Sequence, residues 1–433
     1  MTVAEAESYS RGNQSMNSKE ISDIFNSKFA PFVRPYYGDP LIVSKAEGVH
    51  IWDIDGKKYL DAYSGVATVS MGHCNKRIND AVKAQMDRFG HISYIYRFEP
   101  AAEYASVLLN KCGGDYSRLF FTNSGSESVD LAIMIARAAT ASESIFTFSE
   151  GYHGGTFLTK FSTGLDTWHA KIEAPPEIFY ITTPECVTCS HRTCETSRCI
   201  CLNKACEKFE QLNRKGLRPI MIVEPVLGVG GIITPPVHYF KMLSEVIDEY
   251  NVFLICDEVQ TGFGRVGGAF FGFQKFGLKP DIVCMGKAIA NGYPLGAVVF
   301  REETSEKVKD MLHFSTFGGN PLSIAAALEV VKLIDEMGIL SVVEENGRVF
   351  LRDMRLFFEE HTAVKRIRGA GYSVGIDFET DANAAAALNA ARREGLLVGI
   401  GGRKKNVIRI QPPLIFTSDD FHETVEIFKR VLK

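Results

Sequence analysis

Asn251-Val-Phe-Leu-Ile-Cys-Asp257-Glu258-Val-Gln260-Thr-Gly-Phe-Gly-Arg265 is an apolar run of strand length that delivers two acids into a glycine-broken loop. A second stretch has the same design: Pro280-Asp-Ile-Val-Cys-Met-Gly286-Lys287-Ala-Ile-Ala-Asn-Gly292, an apolar run ending in a glycine and one lysine. Short apolar runs bounded by turn residues read as strands buried on both faces. Working outward, the pattern predicts strands at Leu119–Thr122, Ser144–Phe148, Pro219–Val223, Val252–Cys256 and Ile282–Met285. It predicts helices at Ala101–Leu109, Ser126–Ala139 and Ser323–Met337, then at Ala384–Glu394 and Asp419–Val431. Strands alternating with helices make an α/β fold whose mainly parallel sheet is covered on both faces. Between Val49 and Asp61, an Asp-Gly dipeptide flanked by alternating apolar residues predicts a β-hairpin.

These elements divide the chain into a loose polar arm over 1–20 and, over 21–75, the first part of a small domain with its connection. A large domain follows over 76–325, with a cysteine-rich insertion at 184–207, and the rest of the small α+β domain occupies 326–433. At 433 residues and 45% hydrophobic content the chain has ample core for this. A net charge of −4 gives no electrostatic reason to expect nucleic acid or an anionic membrane surface. No apolar run is long enough to span a bilayer, and the N-terminus has neither a secretory nor a mitochondrial leader pattern, so a cytoplasmic location is expected.

An acid and an amine at the ends of two buried strands suit pyridoxal 5′-phosphate (PLP). That cofactor needs a lysine to hold it covalently and a carboxylate to keep its ring nitrogen protonated. The plainer alternative is a loop cap at Asp257 and a solvated Lys287. Phe121-Thr-Asn-Ser124-Gly125-Ser126-Glu127-Ser128 follows a strand and opens a helix, where N–H groups and the helix dipole favour a phosphate. The same residues also make an ordinary N-cap. Gly151-Tyr152-His153-Gly154-Gly155 follows the next strand and could cover one face of an aromatic cofactor, or be a turn with a surface aromatic. Glu224 sits at another strand end, and Gln260, three residues past Asp257, could bond a ring hydroxyl. The turn His313-Phe-Ser-Thr316-Phe-Gly318-Gly319-Asn320 offers a second grip on a phosphate. Arg409, alternating with apolar neighbours, has the fork that clamps a carboxylate, though a lone strand arginine is more often a surface residue.

Taken in order, from about Gly48 to the C-terminus, these segments resemble the class III (ω-type) aminotransferases, PLP enzymes of fold type I. Asp-Glu-Val-Gln-Thr-Gly-Phe-Gly-Arg followed by Gly-Lys is highly specific to that class. The resemblance implies a seven-stranded type of sheet in the large domain. It makes Lys287 the cofactor lysine and proton carrier, Asp257 the ring-nitrogen partner and Gln260 the ring-oxygen contact. Ser124, Gly125 and Ser126 would hold the phosphate, Tyr152 would stack, and His153 and Glu224 would complete the cofactor site. Thr316 would reach the phosphate of a neighbouring subunit, implying a homodimer with shared active sites, or a tetramer built from it. Arg409 would bind the substrate carboxylate, with Glu224 masking it for other substrates.

Within the class the sequence is most similar to the alanine–glyoxylate aminotransferase 2 subgroup. The shared wording includes Ser64-Gly-Val-Ala-Thr68-Val-Ser-Met-Gly72-His73-Cys74, and Ser64 is placed with the substrate residues on that ground. His91-Ile-Ser-Tyr94-Ile-Tyr96-Arg97-Phe98 would line the substrate pocket through Tyr96 and Arg97. The Arg97 side chain departs from the subgroup and would recognise a second acidic group or face solvent. The implied reaction moves an amino group from an amino acid or ω-amino donor to a 2-oxo acid such as pyruvate or glyoxylate, by a ping-pong route. A PLP-dependent aminomutase or epimerase is the second reading. A metal-dependent binding protein with a vestigial PLP site is the third. Alanine, β-alanine, 4-aminobutyrate, taurine and diamines all remain open as donors.

Of ten cysteines, six fall in one stretch: Cys186, Cys189, Cys194, Cys199, Cys201 and Cys206. In a reducing compartment a structural zinc site with His191 nearby competes with disulfides, free thiols and an iron–sulfur cluster. The spacing matches no standard zinc finger.

Overall fold

A computed structural model describes residues 16–33, 35–169, 177–184, 200–359 and 361–432. The helix Ser18–Lys28 opens on a capping box in which Asn17 and Glu20 exchange backbone bonds, so the last residues of the expected arm are helical. Three antiparallel strands follow: β1 (Val43–Glu47), β2 (His50–Asp53) and β3 (Lys58–Asp61). The β2–β3 turn is the expected hairpin. Asp53 Oδ1 accepts from Asp55 N and Lys57 N at 3.1 and 2.8 Å, and Gly56 supplies a φ of 82°.

Among the described residues, seven strands form the central sheet. They are β4 (Tyr116–Thr122), β5 (Ile145–Phe148), β6 (Ile178–Ile181), β7 (Ile220–Val223), β8 (Phe253–Asp257), β9 (Ile282–Met285) and β10 (Gly296–Arg301). Their spatial order is β4-β10-β9-β8-β7-β5-β6, with β5 through β9 parallel. Every residue of β7, β8 and β9 is buried, as the unbroken apolar runs require. Alternate side chains feed two separate cores. Ile222, Ile255 and Cys284 pack on one face with Val129, Ile133 and Ala136 of the helix Gly125–Thr140. Met221, Leu254 and Val283 face the other side with Tyr239, Phe240 and Leu243 of the helix Val237–Glu249. Each of the Val, Leu, Ile, Met and Phe side chains among these contributes about 1.5–3 kcal/mol on burial.

Two strands of this sheet, β6 and β10, are absent from the sequence reading. β10 is antiparallel to both β9 and β4 because the connection after β9 is too short for a helical crossover. β4 consequently runs in the same direction as β9.

The C-terminal part forms a four-stranded sheet of β11 (Val364–Ala370), β12 (Ser373–Phe378), β14 (Gly399–Gly401) and β15 (Val407–Ile410), in the order β11-β12-β15-β14. A short strand, β13 (Leu396–Leu397), pairs in parallel with β3 and so joins the two ends of the chain. The long helix Pro321–Glu336 is broken at Gly338, with φ of 59°, before a second helix, Ile339–Phe358, that sequence reading left unassigned. No helix among the described residues is long and apolar enough to cross a membrane.

Candidate active site

The carboxyl ends of the parallel strands are where an open α/β sheet binds ligands, and here they border a cavity of about 800 Å³. β8 and β9 are adjacent, with Asp257 in register with Cys284, so Asp257 and Lys287 leave neighbouring strand ends and both line the cavity. Asp257 is buried. Its Oδ1 accepts from Val259 N at 3.1 Å, and its Oδ2 lies 2.8 Å from His153 Nδ1. His153 is itself buried and its Nε2 lies 3.1 Å from Thr147 Oγ1. Lys287 leaves its strand with φ of 45°. Loss of hydration lowers its amine from 10.5 to about 8, against the opposing pull of Asp257 and Glu224.

The helix Gly125–Thr140 points its N-terminus into the same cavity, where the first N–H groups have no acceptor within the helix. Ser124 caps it by accepting from Glu127 N at 3.2 Å, and Ser126 Oγ accepts from Gly155 N at 3.0 Å. At Gly125 an added Cβ would stand 2.7 Å from a Val259 methyl, so the close approach of these two loops needs glycine.

Glu224, buried beyond the end of β7, accepts from Tyr152 N at 2.8 Å and Gly228 N at 3.1 Å. Burial raises its carboxyl to about 7, with His153 pulling it down and Asp257 pushing it further up. Tyr152 stands edge-on to Trp168 with ring centroids 5.0 Å apart.

Arg409 on β15, only 2% exposed, lines the same cavity. It is not the surface residue that a lone strand arginine suggests. Its Nη2 donates to the hydroxyls of Tyr63 and Tyr36. Its Nε and Nη1 are buried with no protein partner. A buried guanidinium with two unmet N–H directions is costly unless an anion arrives to meet them. Burial pushes the Tyr63 hydroxyl far up, so it stays neutral beside the cation.

Tyr63 opens a turn whose next four residues, Ser64 to Ala67, all have φ between 45° and 67°. Left-handed backbone costs roughly 1–2 kcal/mol for each residue other than glycine. Gly65, Val66 and Thr68 of this segment line the cavity.

The cavity thus gathers Ser124, Gly125, Ser126, Tyr152, His153, Glu224, Asp257, Gln260, Lys287 and Arg409. Ser64 is not among its lining residues; its hydroxyl is buried and donates to the Gln411 carbonyl at 2.7 Å. Thr316, Tyr96 and Arg97 are also outside it, exposed on the surface. Among the lining residues that sequence reading missed are Tyr36, Tyr63, Val259, Trp168 and Lys405. Only Val259, inside the quoted acid motif, carried a local signal. Of the six clustered cysteines, Cys186, Cys189, Cys194 and Cys199 lie outside the described residues. Cys201 and Cys206 sit on the helix Ile200–Arg214. Among the described residues no group of three or more His, Cys, Asp or Glu side chains could hold a metal ion.

PLP fits this donor set. An amine of lowered pKa and a buried carboxylate flank one cavity, a glycine-lined helix N-terminus suits its phosphate, and Gln260 and Tyr152 border the space between.

The class-III aminotransferase family pattern matches residues 34–432, and the chain belongs to that family of PLP-dependent transaminases. An acetylornithine aminotransferase of Methanothermobacter thermautotrophicus is 33% identical over 418 residues, 96% of this chain and 99% of the relative. The mitochondrial alanine–glyoxylate aminotransferase 2 of Pongo abelii is 31% identical over 449 residues, 97% of this chain and 87% of the relative. A leucine/methionine racemase of Thermococcus litoralis is 31% identical over 433 residues, 96% of each chain. The crystal structure of a Bacillus anthracis aminotransferase superposes with a TM-score of 0.88 at 28% identity, covering 96% of this chain and 99% of that one. Identity alone does not single out the alanine–glyoxylate subgroup.

Proposed function

We propose that this enzyme transfers the amino group of a carboxylate-bearing donor to a 2-oxo acid such as pyruvate or glyoxylate, in two half-reactions at one site. The observation that carries this is Arg409. Arg409, whose Nε and Nη1 are buried without a protein partner, lines a single cavity with Lys287 and Asp257. When bound, PLP supplies an electron sink for the bonds at the substrate's amino-bearing carbon. Lys287 would hold the cofactor and then move the substrate proton, a task suited to an amine with a pKa near 8. Asp257, kept in place by His153 and Val259 N, would hold the proton on the ring nitrogen. Ser124, Gly125 and Ser126 would bind the phosphate, and Gln260 the ring oxygen. Arg409 would orient the substrate by its carboxylate, and the walls around Tyr63 and Trp168 would exclude water.

The reading includes a homodimer. Thr316, Tyr96 and Arg97 border an exposed apolar surface that includes Leu312, 98% exposed, and Ile95, 71% exposed. Patches of that kind are usually covered. Ring contacts tie the two segments together: Tyr94 stacks on Phe120 at 4.8 Å, and Phe120 meets His313 at 4.9 Å.

The test mixes purified holoenzyme with single donors and no acceptor while the cofactor's visible absorption is followed. Loss of that absorption with release of one equivalent of oxo acid, reversed by pyruvate or glyoxylate, is the expected result. Product formed from a single substrate with unchanged absorption and no need for an acceptor would instead favour an epimerase or aminomutase.

A further inference from the structure

The turn after β3 is a left-handed helical turn. Ala67 N donates to Tyr63 O at 3.0 Å and Thr68 N to Ser64 O at 2.9 Å, the spacing of helical bonds, while Ser64, Gly65, Val66 and Ala67 all keep positive φ. Residues other than glycine enter this region singly, and a β-branched residue such as Val66 is the least suited to it. Such backbone persists only where its surroundings over-determine it, and it clusters at functional sites.

Here the surroundings are specific. Asp61, at the end of β3 and 2% exposed, accepts from Tyr63 N at 3.0 Å and from Ser64 N at 2.9 Å through one oxygen. Its other oxygen lies 2.7 Å from His73 Nε2. At the far side, Ser64 Oγ donates to the carbonyl of Gln411, two residues past Arg409, and Gln411 N donates to Ala62 O at 2.8 Å. The turn is therefore tied to β3 through Asp61 and to the strand of Arg409 through Ser64. Between those ties, Tyr63 holds the Arg409 guanidinium.

We propose that Asp61, anchored by His73, is a positioning residue for substrate binding. It holds the left-handed turn so that Tyr63 keeps Arg409 where Nε and Nη1 stay unpaired until a carboxylate arrives. A guanidinium released from Tyr63 shares its cavity with the Glu224 carboxylate, and pairing the two would hide the substrate's anchor. The proposal rests on the reading of Arg409 as the carboxylate-binding residue.

Steady-state kinetics of holoenzyme test it, using the donor ranked first by the half-reaction together with pyruvate or glyoxylate. Asp61→Ala should raise KM for both donor and acceptor about tenfold, the loss of one or two hydrogen bonds, with kcat within about twofold. Asp61→Asn keeps an acceptor for the two N–H groups and should bring both KM values back to within about threefold of the parent. Should Asp61→Ala fail to fold, His73→Gln removes only the anchor and should move both KM values in the same direction by a smaller factor. A melting temperature that falls while both KM values stay put would overturn the proposal, as would a lowered kcat at unchanged KM. Arg409→Leu is run alongside. If its KM values do not rise, the carboxylate reading fails; if they rise while those of the Asp61 and His73 variants do not, only the positioning role fails.

Discussion

The two ends of the cavity are built in opposite ways. At the sheet edge, each chemical group follows a regular element directly: Asp257 after β8, Lys287 after β9, Ser124 after β4 at a helix start. Apart from the left-handed Lys287, the backbone of these groups is ordinary, and Asp257 is supported both locally by Val259 N and by His153 from a separate strand end. At the other end, Arg409 meets Tyr36 and Tyr63, which precede it by more than 300 residues, and Tyr63 opens a turn held in a disfavoured conformation. The sheet edge suits a group that never leaves. The far wall would suit one that must come and go, because its buried cation has two nitrogens without a protein partner.

This contrast can be broken from either end. The largest effect is expected at the sheet edge. Lys287→Ala should lower kcat on the order of 10⁴-fold or more, since holding the cofactor and moving the proton are lost together. Measurable steady-state transamination at near-parent rate would remove Lys287 from its role. Asp257→Asn should retain much of the cofactor affinity yet lose about 10²–10³-fold in kcat, the scale of one misplaced electrostatic group. Comparing cofactor binding by absorbance titration with turnover separates the two. At the far wall, Arg409→Leu should leave the cofactor's absorbance alone and raise KM for carboxylate substrates by about 10–100-fold, the range of a lost charge-assisted pair.

The same contrast explains how far sequence could be read. Strand-end chemistry sits inside a continuous stretch, so an apolar run followed by an acid or a lysine shows both the element and its product. β10 was overlooked although its apolar run has the pattern of a buried strand; what composition could not show is its direction, which depends on the length of the connection before it. The pairing of His153 with Asp257 escaped because two separate strand ends had to be placed side by side first. Arg409, singled out as a candidate by its strand pattern, does line the cavity, but its burial under Tyr63 depends on a turn that no propensity favours. Ser64 was drawn to the substrate by a shared phrase, whereas its hydroxyl braces the turn from behind. Thr316, Tyr96 and Arg97 are exposed and lie outside the cavity, and no local pattern in the sequence marks that exposure.

The smallest effect expected is one of pH, and it sits on the boundary between the two ends. Glu224 keeps its proton to about pH 7 in the folded protein, against 4.5 for a free carboxyl, because burial disfavours its charge. Between those values the folded state binds more protons than the unfolded one, so rising pH costs stability, and the full penalty is present above pH 7. Glu224→Gln cannot ionise. At pH 5 the variant should show only the loss of an acceptor facing Tyr152 N or Gly228 N. From pH 5 to pH 8 its melting temperature, relative to the parent, should climb by on the order of 2–4 °C. Lys287 titrates in both proteins, so its contribution largely cancels in that difference. A difference that stays flat across this range would mean that Glu224 is charged throughout, with a compensating partner that its two backbone donors do not provide.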